Sequence, residues 1–327
     1  MIISRTPFRV SFAGGGTDLR EFYDKEYGAV LSAAINKYIY ITVNSLSRFY
    51  DHKIIVKYSQ TELVKDVEEI KHPVVRAALK MLKMEGSIEI TSMADIPAKT
   101  GLGSSSSFTV GLLNALYAFQ GKRVSPERLA EEACEIEIEI LKEPIGKQDQ
   151  YIAAYGGINY IQFNKDESVF VEPVISSREV TNEFNKNLMI FYTGMTRDSK
   201  SVLGEQQKST KDKFEELRKM RQLAIEIKEI LNEGKNLDKI GEILNEEWRL
   251  KKSLTQNISN DIIDEYYQKA LDAGALGGKL LGAGGGGFIL LYVEPQNQHK
   301  VRQRLNDLEE LSFSFEPRGS TIIYIGG

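Results

Sequence analysis

Three glycine-rich segments hold the residues in this chain best suited to chemistry. The first, PFRVSFAGGGTDL (7–19), ends a β-like run in Gly14, Gly15 and Gly16, with Thr17 and Asp18 directly after. Consecutive glycines let a backbone turn sharply and approach a ligand, and Thr17 and Asp18 add a hydroxyl and a carboxylate beside that turn. By itself this segment is equally compatible with a plain hairpin turn.

The second, IPAKTGLGSSSSFTVGLL (96–113), stands between a β-like run and an apolar helical one. Its backbone N–H groups therefore sit at a helix N-terminus, where unpaired donors and the helix dipole favour an anion such as phosphate. Pro97, Gly101, Leu102 and Gly103 form the loop, and Ser104, Ser105 and Ser106 add hydroxyls for phosphate oxygens or a metal ion. No Gly-Lys-Ser/Thr follows, so it is not a P-loop, and Ser106 stands where a dinucleotide fingerprint has its third glycine. The third, KLLGAGGGGFILL (279–291), matches G-x-G-x-x-G formally, but a strand follows it where that fingerprint needs a helix. A tight hairpin near a ligand is the better account, with Gly284 and Gly285 as candidate contacts.

Such loops need regular elements to hold them. MIISRTPFRVSFA reads as a strand entering the first glycine turn, residues 29–45 as β-rich and KIIVKY (53–58) as a short strand. HPVVRAALKMLKMEG reads as an amphipathic helix stopping at Gly86, SIEITSM as a strand, and SSSSFTVGLLNALYAFQG as an apolar helix ending at Gly121. Ser125 and Pro126 cap the next helix. Its EIEIEI stretch alternates with period two, yet the cap, the alanines and the unbroken run predict one long helix. GINYIQF and SVFVEPV read as paired strands after Gly156–Gly157. Composition shifts near Asn182: NLMIFYTG is a buried strand, residues 200–256 are charged and helical with a break at 232–234, and strand, hairpin, strand, helix and a final strand STIIYIG follow. That order predicts a two-layer α+β second domain, with boundaries at 1–183 and 184–327.

Bulk properties narrow the class. A chain of 327 residues is long for a single core and comfortable for two. The single cysteine, Cys134, excludes an internal disulfide and fits the reducing cytoplasm. His52, His72 and His299 are far apart and lack cysteine partners, which argues against a zinc site or a Ser-His-Asp hydrolase. A net charge of −4 argues against nucleic acid, and the mixed charges of KDKFEELRKMRQ (211–222) suit a solvated helix face. No run approaches the ~20 apolar residues of a membrane helix, and the N-terminus reads as a strand and not a signal peptide. A homodimer is compatible with all of this.

Taken together, PFRVSFAGGGTD, PAKTGLGSSSS and KLLGAGGGG resemble, in order, the three motifs of the GHMP kinases, the superfamily of galactokinase, homoserine kinase, mevalonate kinase and phosphomevalonate kinase. The resemblance covers nearly the whole chain. It implies an α+β, two-domain fold, ribosomal-protein-like at the N-terminus and ferredoxin-like at the C-terminus, with ATP between the domains. The triple glycine before Thr17–Asp18, EPIGKQDQYIAAYGG (143–157) and FYTGMTRDS (191–199) are similar to the D-glycero-D-manno-heptose 7-phosphate kinases and fucokinase-type sugar 1-kinases. Gly15 and Gly16 replace the Glu-His of galactokinase's first motif, which argues against galactose.

The likeness also implies roles. Ser105 and Glu137 would hold Mg2+, with Ser104 and Ser106 on the phosphates. Asp149 would be the general base, steadied by Arg9, which would also meet the transferring phosphoryl charge. Gly15, Gly16, Thr17 and Asp18 would hold the sugar. A phosphorylated acceptor would need cations, for which Arg197, Lys200 and Lys147 are the candidates, Arg197 first for its planar fork. The expected substrate is a small sugar phosphate.

Overall fold

The computed structural model describes residues 1–195 and 199–326. Among these residues the strands are β1 (Ile2–Ala13), β2 (Gly28–Ser45), β3 (Ile54–Lys57), β4 (Thr61–Val64), β5 (Ile88–Ala94), β6 (Ile158–Phe163) and β7 (Val169–Pro173). The later strands are β8 (Leu188–Tyr192), β9 (Gly277–Leu280), β10 (Phe288–Tyr292), β11 (Glu309–Glu310) and β12 (Thr321–Ile325). Helices of the first half are α1 (Arg20–Tyr23), α2 (Pro73–Met81), α3 (Ser104–Phe119), α4 (Pro126–Cys134), α5 (Gln148–Tyr155) and α6 (Arg178–Lys186). Those of the second half are α7 (Ser199–Ser209), α8 (Phe214–Glu233), α9 (Lys239–Leu254), α10 (Asp261–Asp272) and α11 (Pro295–Arg304).

An eight-stranded sheet runs β12-β1-β2-β5-β3-β4, with β6 and β7 branching from β2. Strand β2 makes the branch possible through its 18 residues. Its start, Gly28–Ala33, pairs with β6 and its end, Ile39–Ser45, with β5, while β1 runs along its other side. Helix α3 packs on β1 and β2, and its residues Phe108–Leu113 are buried, as an uninterrupted apolar run requires. The second sheet is antiparallel in the order β11-β8-β10-β9. Taken as four strands in sequence this is 4-1-3-2 with β-helices-β-β-α-β connectivity, the ferredoxin-like arrangement.

Local chemistry accounts for the element ends. His72 caps α2 by accepting the Val75 N–H at 3.4 Å, and Pro73 occupies the first turn. Ser125 does the same for α4, accepting the Arg128 N–H at 3.2 Å. Gly234, left-handed at φ 66°, ends α8.

Three elements expected from the sequence differ in the structure. Helix α2 stops at Met81 and not at Gly86, because Lys83 (φ 53°) turns the chain left-handed. The stretch 135–140 is helical as expected, but in the wider π form. The extra residue per turn changes which side chains face inward, and Ile136 and Glu137 are both buried. The last strand does not close the second sheet: β12 crosses back and pairs antiparallel with β1, so the final residues belong to the first sheet. A hydropathy pattern reports that a strand exists and is silent about which edge it joins.

Candidate active site

A cavity of about 740 Å³ is lined by residues from both halves and by all three glycine segments. Loops two and three meet there backbone to backbone. A Cβ added to Gly282 would lie 2.5 Å from the Cα of Gly101, and one on Gly101 would lie 2.6 Å from the Leu281 carbonyl. Both glycines also have positive φ, 76° at Gly282 and 87° at Gly101. Close approach explains these positions in the third segment more directly than contact with a ligand. Gly284 lines the cavity, whereas Gly285 donates its N–H to the Ile258 carbonyl at 2.9 Å and is not part of the wall.

Helix α3 starts beside this junction. Its cap is Gly103, left-handed and without a side-chain hydrogen bond, so none of the serines caps it and its first N–H groups have no side-chain acceptor among the described residues. The serines do other work. Ser107 donates to the Pro7 carbonyl at 2.8 Å. Ser105 (3.2 Å), Ser106 (2.8 Å), Thr109 (3.0 Å) and Gln150 (2.6 Å) all donate to Glu137. Glu137 is 1% exposed, and burial pushes its carboxyl above the ordinary range while the four donors pull it back. Ser104, Ser105, Ser106 and Glu137 all line the cavity. Leu102 is fully buried and contributes only its carbonyl, which accepts the Arg9 N–H at 3.0 Å; Pro97 is exposed and outside the wall.

Arg9 of β1 and Asp149 in the first turn of α5 form a two-pronged pair, Nε to Oδ1 and Nη2 to Oδ2, both at 2.7 Å. The remaining guanidinium nitrogen, Nη1, donates to the Gly101 carbonyl at 2.6 Å. Gly103 sits against both side chains, so the helix start and the pair are neighbours. Asp18 is 3% exposed and accepts the N–H groups of Gly16 (2.8 Å) and Gln148 (3.3 Å), which ties the first glycine loop to the start of α5. Burial raises its pKa, and the nearby Asp149 charge adds to this. Gly15 and Gly16 line the cavity.

Other expected residues lie elsewhere. Thr17 is fully buried, with its hydroxyl between the carbonyls of Gly14 (2.8 Å) and Ala29 (2.9 Å), so it braces the loop and does not reach the cavity. Lys147 turns away from the cavity to pair with Glu167, its ammonium 4.8 Å from the centre of the Tyr23 ring. Arg197 and the side chain of Lys200 lie outside the described residues. Instead Lys251 of α9 and Lys279 of β9 bring cations to the wall. Both carried a readable signal. Lys279 interrupts an apolar, glycine-rich strand, and Glu247 and Lys251 fall on the buried stripe of α9 with Leu244, Trp248 and Leu254.

Opposite in character is an apolar wall that includes Ile39, Tyr58, His72, Val74, Ile96 and Phe108. His72 stacks on Phe108 at 4.9 Å and takes the edge of Tyr58 at 4.8 Å. Burial lowers the His72 pKa, favouring the neutral ring.

A cleft between two α+β halves, with a helix start open to anions and an aspartate held by arginine, suits a phosphotransferase that acts on a hydroxyl group. Residues 57–157 match the GHMP kinases N terminal domain and residues 227–310 the GHMP kinases C terminal domain. The chain belongs to the GHMP kinases, whose phosphate donor is ATP. It is 31% identical over 333 residues to the D-glycero-alpha-D-manno-heptose 7-phosphate kinase of Campylobacter jejuni, across 96% of this chain and 97% of that one. It is 26% identical to a galactokinase of Pyrococcus furiosus, across 90% and 89% of the two chains. A D-glycero-D-manno-heptose 1-phosphate kinase from Bacteroides thetaiotaomicron superposes over 100% of both chains with a TM-score of 0.81 and 27% identity. Among the described residues no helix is long and apolar enough to cross a membrane.

Proposed function

We propose that this kinase transfers the γ-phosphoryl group of ATP to the anomeric C1 hydroxyl of a sugar phosphate, D-glycero-D-manno-heptose 7-phosphate, for nucleotide-activated heptose synthesis in the cytoplasm. The observation that carries the reading is the Arg9–Asp149 pair beside the open start of α3, in a chain alike over 96% of its length to a heptose 7-phosphate kinase. Asp149 takes the hydroxyl proton as the C1 oxygen attacks the γ-phosphorus, the bond to the bridging oxygen breaks, and ADP leaves with that electron pair. An anomeric hydroxyl is more acidic than an ordinary alcohol, so a carboxylate is a sufficient base. Arg9 holds Asp149 in one orientation and presents its guanidinium to the phosphoryl oxygens. The N–H groups of Ser104 and Ser105 receive donor phosphates, and the adenine lies on the wall of Tyr58, His72 and Phe108.

Glu137 and Ser105 suit Mg2+. Among the described residues no cluster of three acidic or histidine ligands exists, and Mg2+ is usually held by one or two carboxylates together with phosphates and water. When bound there, the ion neutralises phosphate charge. Asp18, Gly15 and Gly16 border the sugar.

The test is ATP-dependent ADP release over a panel of free and phosphorylated sugars, with fucose, another hexose and mevalonate included and the product position read by phosphorus NMR. The expected result is a new C1 phosphate on heptose 7-phosphate. Preference for a free sugar would overturn the acceptor and leave the kinase family standing, and silence across the panel would favour a ligand-sensing protein.

A further inference from the structure

Lys251 and Lys279 share the cavity wall, and their surroundings differ. Lys279 has a fixed partner: its side chain is 3% exposed and its ammonium donates to Glu247 at 3.1 Å and to the Phe12 carbonyl at 2.9 Å. Lys251, on a helix turn above Glu247, makes no ion pair among the described residues. Its Nζ donates to the carbonyls of Leu280 (3.2 Å) and Gly282 (2.5 Å), leaving one of the three donors of an ammonium toward the cavity it lines.

The charged groups that act most strongly on Lys251 among the described residues are Lys279, Glu247, Arg9 and Asp18. Glu247 is bonded to Lys279, and Arg9 is matched by Asp149. Asp18 directs its carboxylate oxygens to two backbone N–H groups. Burial, with the positive charge of Lys279 and Arg9, pulls the Lys251 amine well below the ordinary lysine range. An anion arriving beside Nζ would favour the ammonium form, with its third donor, over the neutral amine that burial favours. On the same wall the Ser11 hydroxyl, in a residue 7% exposed, is buried and has no hydrogen-bond partner among the described residues. An amine bonded only to two carbonyls and a hydroxyl with no partner among the described residues, beside the Arg9–Asp149 pair, are what a group rich in oxygens would satisfy.

We propose that Lys251 is a ligand-binding residue of this kinase, contacting a phosphoryl group through the one ammonium donor that Leu280 and Gly282 leave open. The inference rests on the kinase reading and extends it. Two sources share this chemistry: the phosphate already on the acceptor, and the group being transferred from ATP.

Two measurements on the full chain test it. In the first, Lys251→Met is compared with the parent for kcat and for the KM of ATP, of heptose 7-phosphate and of the unphosphorylated heptose. A contact with the acceptor's phosphate predicts a ten- to hundredfold rise in KM for the phosphorylated sugar alone. A contact with the transferring group predicts a fall in kcat of that size with either sugar. All constants within twofold of the parent would overturn the proposal. The second needs neither turnover nor a variant: reductive methylation near neutral pH, followed by mass spectrometry of the peptide carrying Lys251, with and without inorganic phosphate or ATP. Protection of Lys251 by either anion is expected. A parent enzyme that phosphorylates no sugar yet shows this protection would remove the proposed acceptor and keep the Lys251 site, whereas unprotected labelling would remove the site.

Discussion

The cavity has two walls of opposite construction. The charged wall collects Arg9, Asp18, Glu137, Asp149, Lys251 and Lys279 from both halves of the chain. Most of these groups are bonded to one another or to backbone, at geometries of 2.6–3.3 Å. The apolar wall is made within the first sheet and its helices, from Ile39, Tyr58, His72, Val74, Ile96 and Phe108. It is organised by ring contacts near 5 Å. Shape complementarity tolerates exchange, because volume can be repacked. A wall of charges does not, because removing one member strands its partner. Substitutions in the first should therefore act on chemistry, and those in the second on nucleotide affinity.

The largest effect expected is from Asp149→Asn. Turnover should fall on the order of a hundredfold or more with ATP affinity nearly intact, as checked by steady-state kinetics beside nucleotide titration. Unchanged turnover would take Asp149 out of the mechanism and blur the distinction between the walls.

Gly282→Ala tests the junction beneath the charged wall. A side chain at φ 76°, pressed on the Gly101 backbone, should cost about 2–4 kcal/mol and be visible in urea unfolding. Stability equal to the parent would mean that the two loops separate freely.

Glu137→Gln has two readouts. The mutant should need more magnesium for half-maximal rate, and equal dependence would leave Glu137 as a buried acceptor for its four donors. The pH readout follows from burial raising its folded-state pKa above 4.5. Between those two values the folded chain holds a proton that the unfolded chain does not, so stability falls as pH rises through the window. The mutant should lose that slope, about 1.4 kcal/mol for every tenfold difference in proton affinity between the folded and unfolded chains, in denaturation measured from acid to neutral pH.

The smallest effect is on the apolar wall. His72→Ala should raise the KM for ATP several-fold through loss of about 0.5–1.5 kcal/mol of ring contact, with kcat unchanged. It should also lower stability by about 1 kcal/mol through the lost α2 cap. A fall in kcat comparable to that of Asp149→Asn would break the contrast.

How much of this is legible in the sequence depends on whether a residue's type or its direction matters. The glycine loops can be read because glycine reports a backbone requirement directly, and the family likeness carries Arg9 and Asp149 to the same place. Direction is not readable. Thr17 and Lys147 have suitable chemistry but turn into the loop and toward Glu167. Lys251 is hidden in a stretch whose composition says only charged and helical, where the period of Leu244, Glu247, Trp248 and Lys251 alone marks the buried stripe. The short α5 gives no signal because its eight residues lie between a glycine-containing loop and Gly156–Gly157, too brief for a helical period to emerge.

The return of β12 to the first sheet has a mechanical consequence. The halves are joined by two stretches of chain, one entering α6 and one leaving β11 for β12. Both are pinned at one spot, where Phe184 lies 5.1 Å from Phe12 and 5.5 Å from Phe315. A single tether would let one half swivel in any direction. Two stretches fastened side by side resist twisting, and α8 packed on β1 and β2 runs one core through both halves. The floor of the cleft is therefore continuous, and the close approach of Gly101 and Gly282 ties the second and third glycine loops together along it.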